Sequence, residues 1–101
     1  MRRLSVTAVG VLHAVGNGFE YGFDVIDATG LPSGTVYPAL GRLERDGLVR
    51  SAWEDEAAAF AQGRPARRYY RVTAAGQRAL AEAREYLRAL LPPPRPARAR
   101  G

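Results

Sequence analysis

The stretch Leu31-Pro32-Ser33-Gly34-Thr35-Val36-Tyr37-Pro38-Ala39-Leu40-Gly41-Arg42-Leu43-Glu44-Arg45-Asp46-Gly47-Leu48-Val49 decides the fold. Val36, Leu40 and Leu43 fall at i, i+4 and i+7, a single apolar helix face, and Gly47 is placed to stop that helix. Pro38 has no amide hydrogen and is tolerated only in a first turn, so the helix is expected to begin near Thr35, capped by Ser33 or Thr35. Leu31-Pro32-Ser33 reads as a tight turn. Before it, Gly30 is suited to end, in a left-handed cap, a second helix over Tyr21–Thr29, with Phe23 and Ile26 one turn apart. Helix, glycine, three-residue turn and helix is the order of a helix-turn-helix.

The flanking segments extend this reading. Ser5 can cap a helix running to about Val15, where Val6, Val9, Val11, Leu12 and Val15 leave little polar surface, so burial on more than one side is expected. After Gly47, the run Leu48, Val49, Ser51, Trp53 and the tyrosine-rich Arg67–Val72 read as two strands of a hairpin. Glu54 to Ala66 between them is too long for a tight turn and is expected to be a projecting loop. Thr73 can cap a last helix in which Leu80, Ala83, Leu87 and Leu90 alternate by three and four, ended by Pro92-Pro93-Pro94. The expected fold is mainly α with a small β hairpin: a winged helix-turn-helix with an added C-terminal dimerisation helix. The expected divisions are a DNA-binding unit over 1–72, the dimerisation helix over 73–91 and a disordered basic proline-arginine tail over 92–101.

At 101 residues the chain has room for one globular domain, and its 47% hydrophobic and 25% charged residues are those of an ordinary folded protein. With no cysteine and one histidine, His13, it has neither disulfides nor a usual zinc site. No nucleophile stands with a base and no glycine-rich phosphate loop occurs, so the chain is expected not to be an enzyme and to need no cofactor or metal. No apolar run approaches the ~18 residues of a membrane span, and Met1-Arg2-Arg3-Leu4-Ser5 lacks the features of a signal peptide, so a cytoplasmic protein without membrane partners is expected.

The net charge is +5 and every basic residue is arginine. Arg64, Arg67, Arg68 and Arg71 lie within Gly63–Arg71 without an acid, Arg2 and Arg3 open the chain, and Arg95, Arg98 and Arg100 close it. Basicity focused in this way suits a polyanion, most often nucleic acid. The third helix can enter a major groove, presenting the residues its core stripe leaves outward: Ser33, Thr35, Tyr37 and Arg42. Arg64, with Arg67 and Arg68, would be carried by the hairpin toward an adjacent groove or the flanking backbone.

These residues resemble the PadR family of bacterial transcriptional regulators. The matching pieces are Tyr21-Gly22-Phe23-Asp24-Val25-Ile26, Gly34 to Leu40, Arg42-Leu43-Glu44, Asp46-Gly47-Leu48-Val49, Trp53-Glu54 and Gly63 to Gly76. The resemblance runs from about Val6 to Leu91, and the Thr-aliphatic-Tyr-Pro helix with a Gly-Arg-Pro wing is its specific part. It implies a homodimeric repressor on inverted-repeat operators, with the last helix, and its stripe Leu80, Ala83, Leu87 and Leu90, against the partner. It also implies a possible cavity for a small flat aromatic effector, to which Leu12, His13 and Tyr86 are the nearest candidates. Gly41 departs from the family in standing where relatives often have a basic residue, and the short last helix resembles the subclass without an extended C-terminal domain.

Each residue also has a plainer reading. Tyr37 can cover the core as well as touch DNA, and one of Tyr69 and Tyr70, on opposite strand faces, is expected inside. Trp53 is expected to pack, and Glu54-Asp55-Glu56 to be a solvated stretch of loop. The competing function is a winged helix used for protein contacts or for architectural, non-specific DNA binding.

Overall fold

The computed structural model describes residues 4–96. Arg2, Arg3, Arg98 and Arg100 lie outside the described residues, as does the end of the proline-arginine tail. The order is α1 (Val6–Gly16), α2 (Gly22–Thr29), α3 (Ser33–Arg45), β1 (Val49–Trp53), α4 (Glu56–Ala61), β2 (Arg68–Val72) and α5 (Ala74–Leu90). The fold is mainly helical with one two-stranded antiparallel sheet, a winged helix-turn-helix followed by a long helix.

Capping sets the helix starts. Ser5 Oγ accepts the Ala8 amide at 3.1 Å, and Thr73 Oγ1 accepts the Gly76 amide at 3.0 Å. α1 lies at the centre against α2, α3, α5 and β2. Its Val11 and Leu12 join Val25, Val36, Leu40, Leu43 and Leu80 as the most deeply buried side chains. At the start of α1, Val6 is instead 81% exposed and Val9 only partly buried. On α2 the buried residues are Gly22 and Val25, while Phe23, expected on the apolar stripe with Ile26, points outward.

Gly30 ends α2 at φ +72°, with its amide on the Ile26 carbonyl at 2.9 Å. α3 starts at Ser33, earlier than Thr35, because the Pro32 carbonyl takes the Thr35 and Val36 amides; no side chain caps it. Pro38 therefore stands in the second turn, where it offers no N–H to the Gly34 carbonyl. Gly34 is exposed with open space about it, so that carbonyl can be met by water.

Gly47, at φ +75°, turns the chain into the hairpin, whose register pairs Val49 with Val72, Ser51 with Tyr70 and Trp53 with Arg68. α5 then crosses so close to this turn that a Cβ on Gly76 would stand 2.0 Å from the Leu48 carbonyl oxygen. The expected projecting loop contains a helix: Asp55 caps α4 by accepting the Ala58 amide at 3.2 Å, Gly63 follows it at φ +72°, and Ala59 is buried. Trp53, expected to pack, is 66% exposed, because β1 ends beyond the core. Leu80 is 2% exposed within its own chain's core, so it is no free contact for a partner.

Candidate nucleic-acid interface

With Val36, Leu40 and Leu43 facing the core, the helix winding of 3.6 residues per turn turns Gly34, Pro38, Gly41 and Arg45 directly away from it. A Cβ on Gly34 or Gly41 would meet nothing within 4 Å, so this outer face carries only the Pro38 ring between two bare glycines, followed by the exposed Arg45. The expected contact residues lie on its flanks. Ser33 and Tyr37 are toward the wing; Thr35 and Arg42 are on the other side, Arg42 beside Asp46 at the mouth of a groove described below.

Tyr37 takes the covering role and also keeps part of its ring open to solvent. Its ring covers Gly22, where a Cβ would stand 2.4 Å from Cε1, yet it remains 49% exposed. It lines a small cleft of about 210 Å³ between α2, α3 and the hairpin, with Phe23, Trp53, Arg67 and Arg68. Arg67 lies over the Tyr21 ring at 4.1 Å, a cation–π contact that fixes the guanidinium at the cleft edge. Tyr70 is the inward tyrosine, its hydroxyl held in the protonated form by burial; Tyr69 is half-buried under Arg71.

The wing arginines are tied to glutamates. Arg64 donates to both carboxylate oxygens of Glu54, at 2.5 and 2.8 Å, and Arg67 reaches the same carboxylate with its Nε at 3.8 Å and its backbone amide at 3.0 Å. The Tyr21 hydroxyl donates to Glu54 at 3.2 Å. The Arg64 hydrogen bonds lead this convergence in lowering the Glu54 pKa to about 2, so the carboxylate stays charged in neutral and mildly acidic solution. Arg68 donates to Glu44 on α3 at 3.0 Å and to Ser51, whose hydroxyl donates to the other Glu44 oxygen; Arg71 meets Glu20 at 3.0 Å.

The expectation of a solvated acidic triplet therefore fails for Glu54, which organises the wing, and for Asp55, which caps α4. The signal was in the pairing: Trp53 opposite Arg68 puts Glu54 opposite Arg67, and the Glu54 amide donates to the Arg67 carbonyl at 2.8 Å. Arg45, in the last turn of α3 and about three turns beyond its start, was not among the expected contact residues.

A second concavity, an open groove of about 950 Å³, runs between the start of α1, the end of α3 and α5. Val6, Val9, Ala83, Tyr86, Leu87 and Leu90 give it an apolar lining. The residues expected around an effector are not brought together: Leu12 is fully buried in the core, and His13 is exposed, with its ring bonded to Asn17 at 3.0 Å and near Arg84 at 3.4 Å. Only Tyr86 of the three lines the groove. Among the described residues no cluster of potential ligands could hold a metal ion, and no helix is long and apolar enough to cross a membrane.

The sequence model of the transcriptional regulator PadR-like family matches residues 11–82, from the middle of α1 to the middle of α5. The chain belongs to the PadR-like family. It is thus a DNA-binding transcription regulator and not an enzyme. A PadR family transcription regulator from hypervirulent Clostridium difficile has the same fold, with a TM-score of 0.74 at 22% identity over 85% of this chain and 91% of that one. A PadR family transcriptional regulator from Eggerthella lenta gives 0.67 at 27% identity over 82% and 72%. Bordetella bronchiseptica BpsR, whose DNA binding is regulated by 6-hydroxynicotinic acid, gives 0.67 at 19% identity over 86% of this chain and 57% of that one. No curated protein matches the chain at a significant level.

Proposed function

We propose that this PadR-like chain is a homodimeric repressor that reads an inverted-repeat operator with α3 and clasps the flanking backbone with its wing. The observation that carries the reading is the continuity of one surface: the low outer face of α3 with Gly34, Pro38 and Gly41, Ser33 and Tyr37 on its flank, and the cleft bearing Arg67 and Arg68 stand side by side. A helix without outward Cβ atoms at Gly34 and Gly41 can sit deep in a major groove, leaving base and phosphate contacts to Ser33, Thr35, Tyr37, Arg42 and Arg45. In this reading Arg64, being paired, shapes the wing and is not its leading phosphate contact.

The dimer reading is supported by the apolar groove along α1 and α5, where Leu90 is 57% exposed and Val6 is 81% exposed in the single chain. A second copy contributing its α5 would cover Ala83, Leu87 and Leu90. A small flat aromatic molecule lodged beside Tyr86 would change the spacing of the two α3 helices and so lower operator affinity. BpsR, which shares the fold, has its DNA binding regulated by a small aromatic molecule, 6-hydroxynicotinic acid.

Selection from a pool of random duplexes tests the reading. It is expected to return an inverted repeat with half-site centres about one helical turn apart. Binding without a consensus would favour the architectural alternative instead.

A further inference from the structure

All four arginines between Gly63 and Arg71 are already engaged with glutamates: Arg64 and Arg67 with Glu54, Arg68 with Glu44, and Arg71 with Glu20. Arg42, Arg45 and Arg50 are exposed and have no ion pair or side-chain hydrogen bond among the described residues. The basic sequence cluster is therefore largely neutralised in space, whereas Arg42, Arg45 and Arg50 outside it are unpaired among the described residues. The partners come from three places in the fold, the wing itself, α3 and the segment before α2, so this is no accident of one acidic run.

We propose that Glu54 and Glu44 are specificity determinants, which restrain the wing arginines and so suppress indiscriminate attraction to phosphate while fixing where the wing meets DNA. The inference rests on the DNA-binding reading. Non-specific affinity comes almost wholly from cations that displace counterions, each phosphate contact adding about −0.9 to the slope of log K against log salt. An arginine held by both oxygens of a carboxylate must exchange partners before it can meet a phosphate, and it then leaves the carboxylate facing the polyanion. Freed, the same side chain could adapt to any backbone. At the cognate site, where α3 has already set the register, that freedom adds less, so release narrows the gap between cognate and random DNA. The low pKa of Glu54 means that the restraint does not relax in neutral or mildly acidic buffers.

The test compares the full chain with Glu54→Gln and Glu44→Gln, each isosteric and still able to accept a hydrogen bond, and with Asp27→Asn. Asp27 is an exposed acid on α2 outside every ion pair described, so it matches the change in net charge. Anisotropy titrations of a fluorescent random-sequence duplex and of the selected operator are run from about 50 to 300 mM salt. Each Gln variant is expected to bind the random duplex roughly fivefold more tightly at 150 mM salt with a slope steeper by about 1, and to show a lower operator-to-random ratio; Asp27→Asn is expected to match the parent. Weaker binding of both duplexes with an unchanged slope would mean that the glutamates only prop the wing, and equal effects of all three variants would reduce the result to net charge; either overturns the proposal. Since Glu54 and Glu44 lie on different elements, misfolding of one variant leaves the other to decide. If the parent chain bound no duplex at 50 mM salt, the DNA-binding reading would fall and this inference with it; parent binding with unaltered Gln variants sinks the inference alone.

Discussion

Gly76 and Gly41 have the same side chain and opposite surroundings. Gly76 is where α5 crosses the Leu48 carbonyl, so a methyl group there must push the helix off the hairpin; Gly41 faces open space on a helix surface. Gly76→Ala is expected to cost about 3 kcal/mol or more, as overpacking against rigid backbone does, whereas Gly41→Ala is expected to stabilise by about 0.5–1 kcal/mol through helix propensity. Urea denaturation of the two variants checks both signs. The turn glycines Gly30 and Gly47 were legible in the sequence because they end helices, a local property. Gly76 and Gly22 were not, since the crowding at them comes from residues far along the chain, Leu48 and Tyr37. Glu54 was read as solvated for the same reason: its partners include Tyr21 and Arg64, which only the folded hairpin assembles.

At the scale of elements, α5 divides by function along its length. Leu80 is part of the core against α1, while Ala83, Leu87 and Leu90 line the open groove. Leu80→Ala is expected to destabilise the chain by about 2–5 kcal/mol, the cost of a buried leucine cavity. Leu87→Glu is expected to leave a folded chain that sediments as a monomer where the parent sediments as a dimer; an unchanged dimer would place the interface elsewhere. A heptad-like spacing cannot separate these roles, because it marks an apolar face without saying whether the same chain or a second copy covers it. Caps made α1 and α5 readable from Ser5 and Thr73. α4 was not read, although Asp55 before an alanine-rich run and Gly63 after it are cap signals, because the length of the segment argued for loop. The start of α3 was displaced by trusting Pro38 to mark a first turn, where the backbone instead tolerates it one turn later beside a bare glycine.

Over the whole molecule, two surfaces lie on different sides of α3: the wing cleft with Tyr37 and Trp53, and the groove of α1 and α5 with Arg42 at its mouth. α3 is thus the shared element through which a change in the groove could alter how the helix meets DNA. A partner chain or small molecule in the groove would act on the Arg42 flank, leaving the wing restrained by Glu44 and Glu54 on the other. Together these surfaces are expected to make a sequence-specific regulator and not a general binder of DNA. A titration at about 150 mM salt, of the selected duplex against a scrambled duplex of the same length and composition, decides between the two. Affinity for the selected duplex is expected to exceed that for the scrambled one by ~10³ or more; equal affinity for the two would mean that the chain binds DNA without reading its sequence.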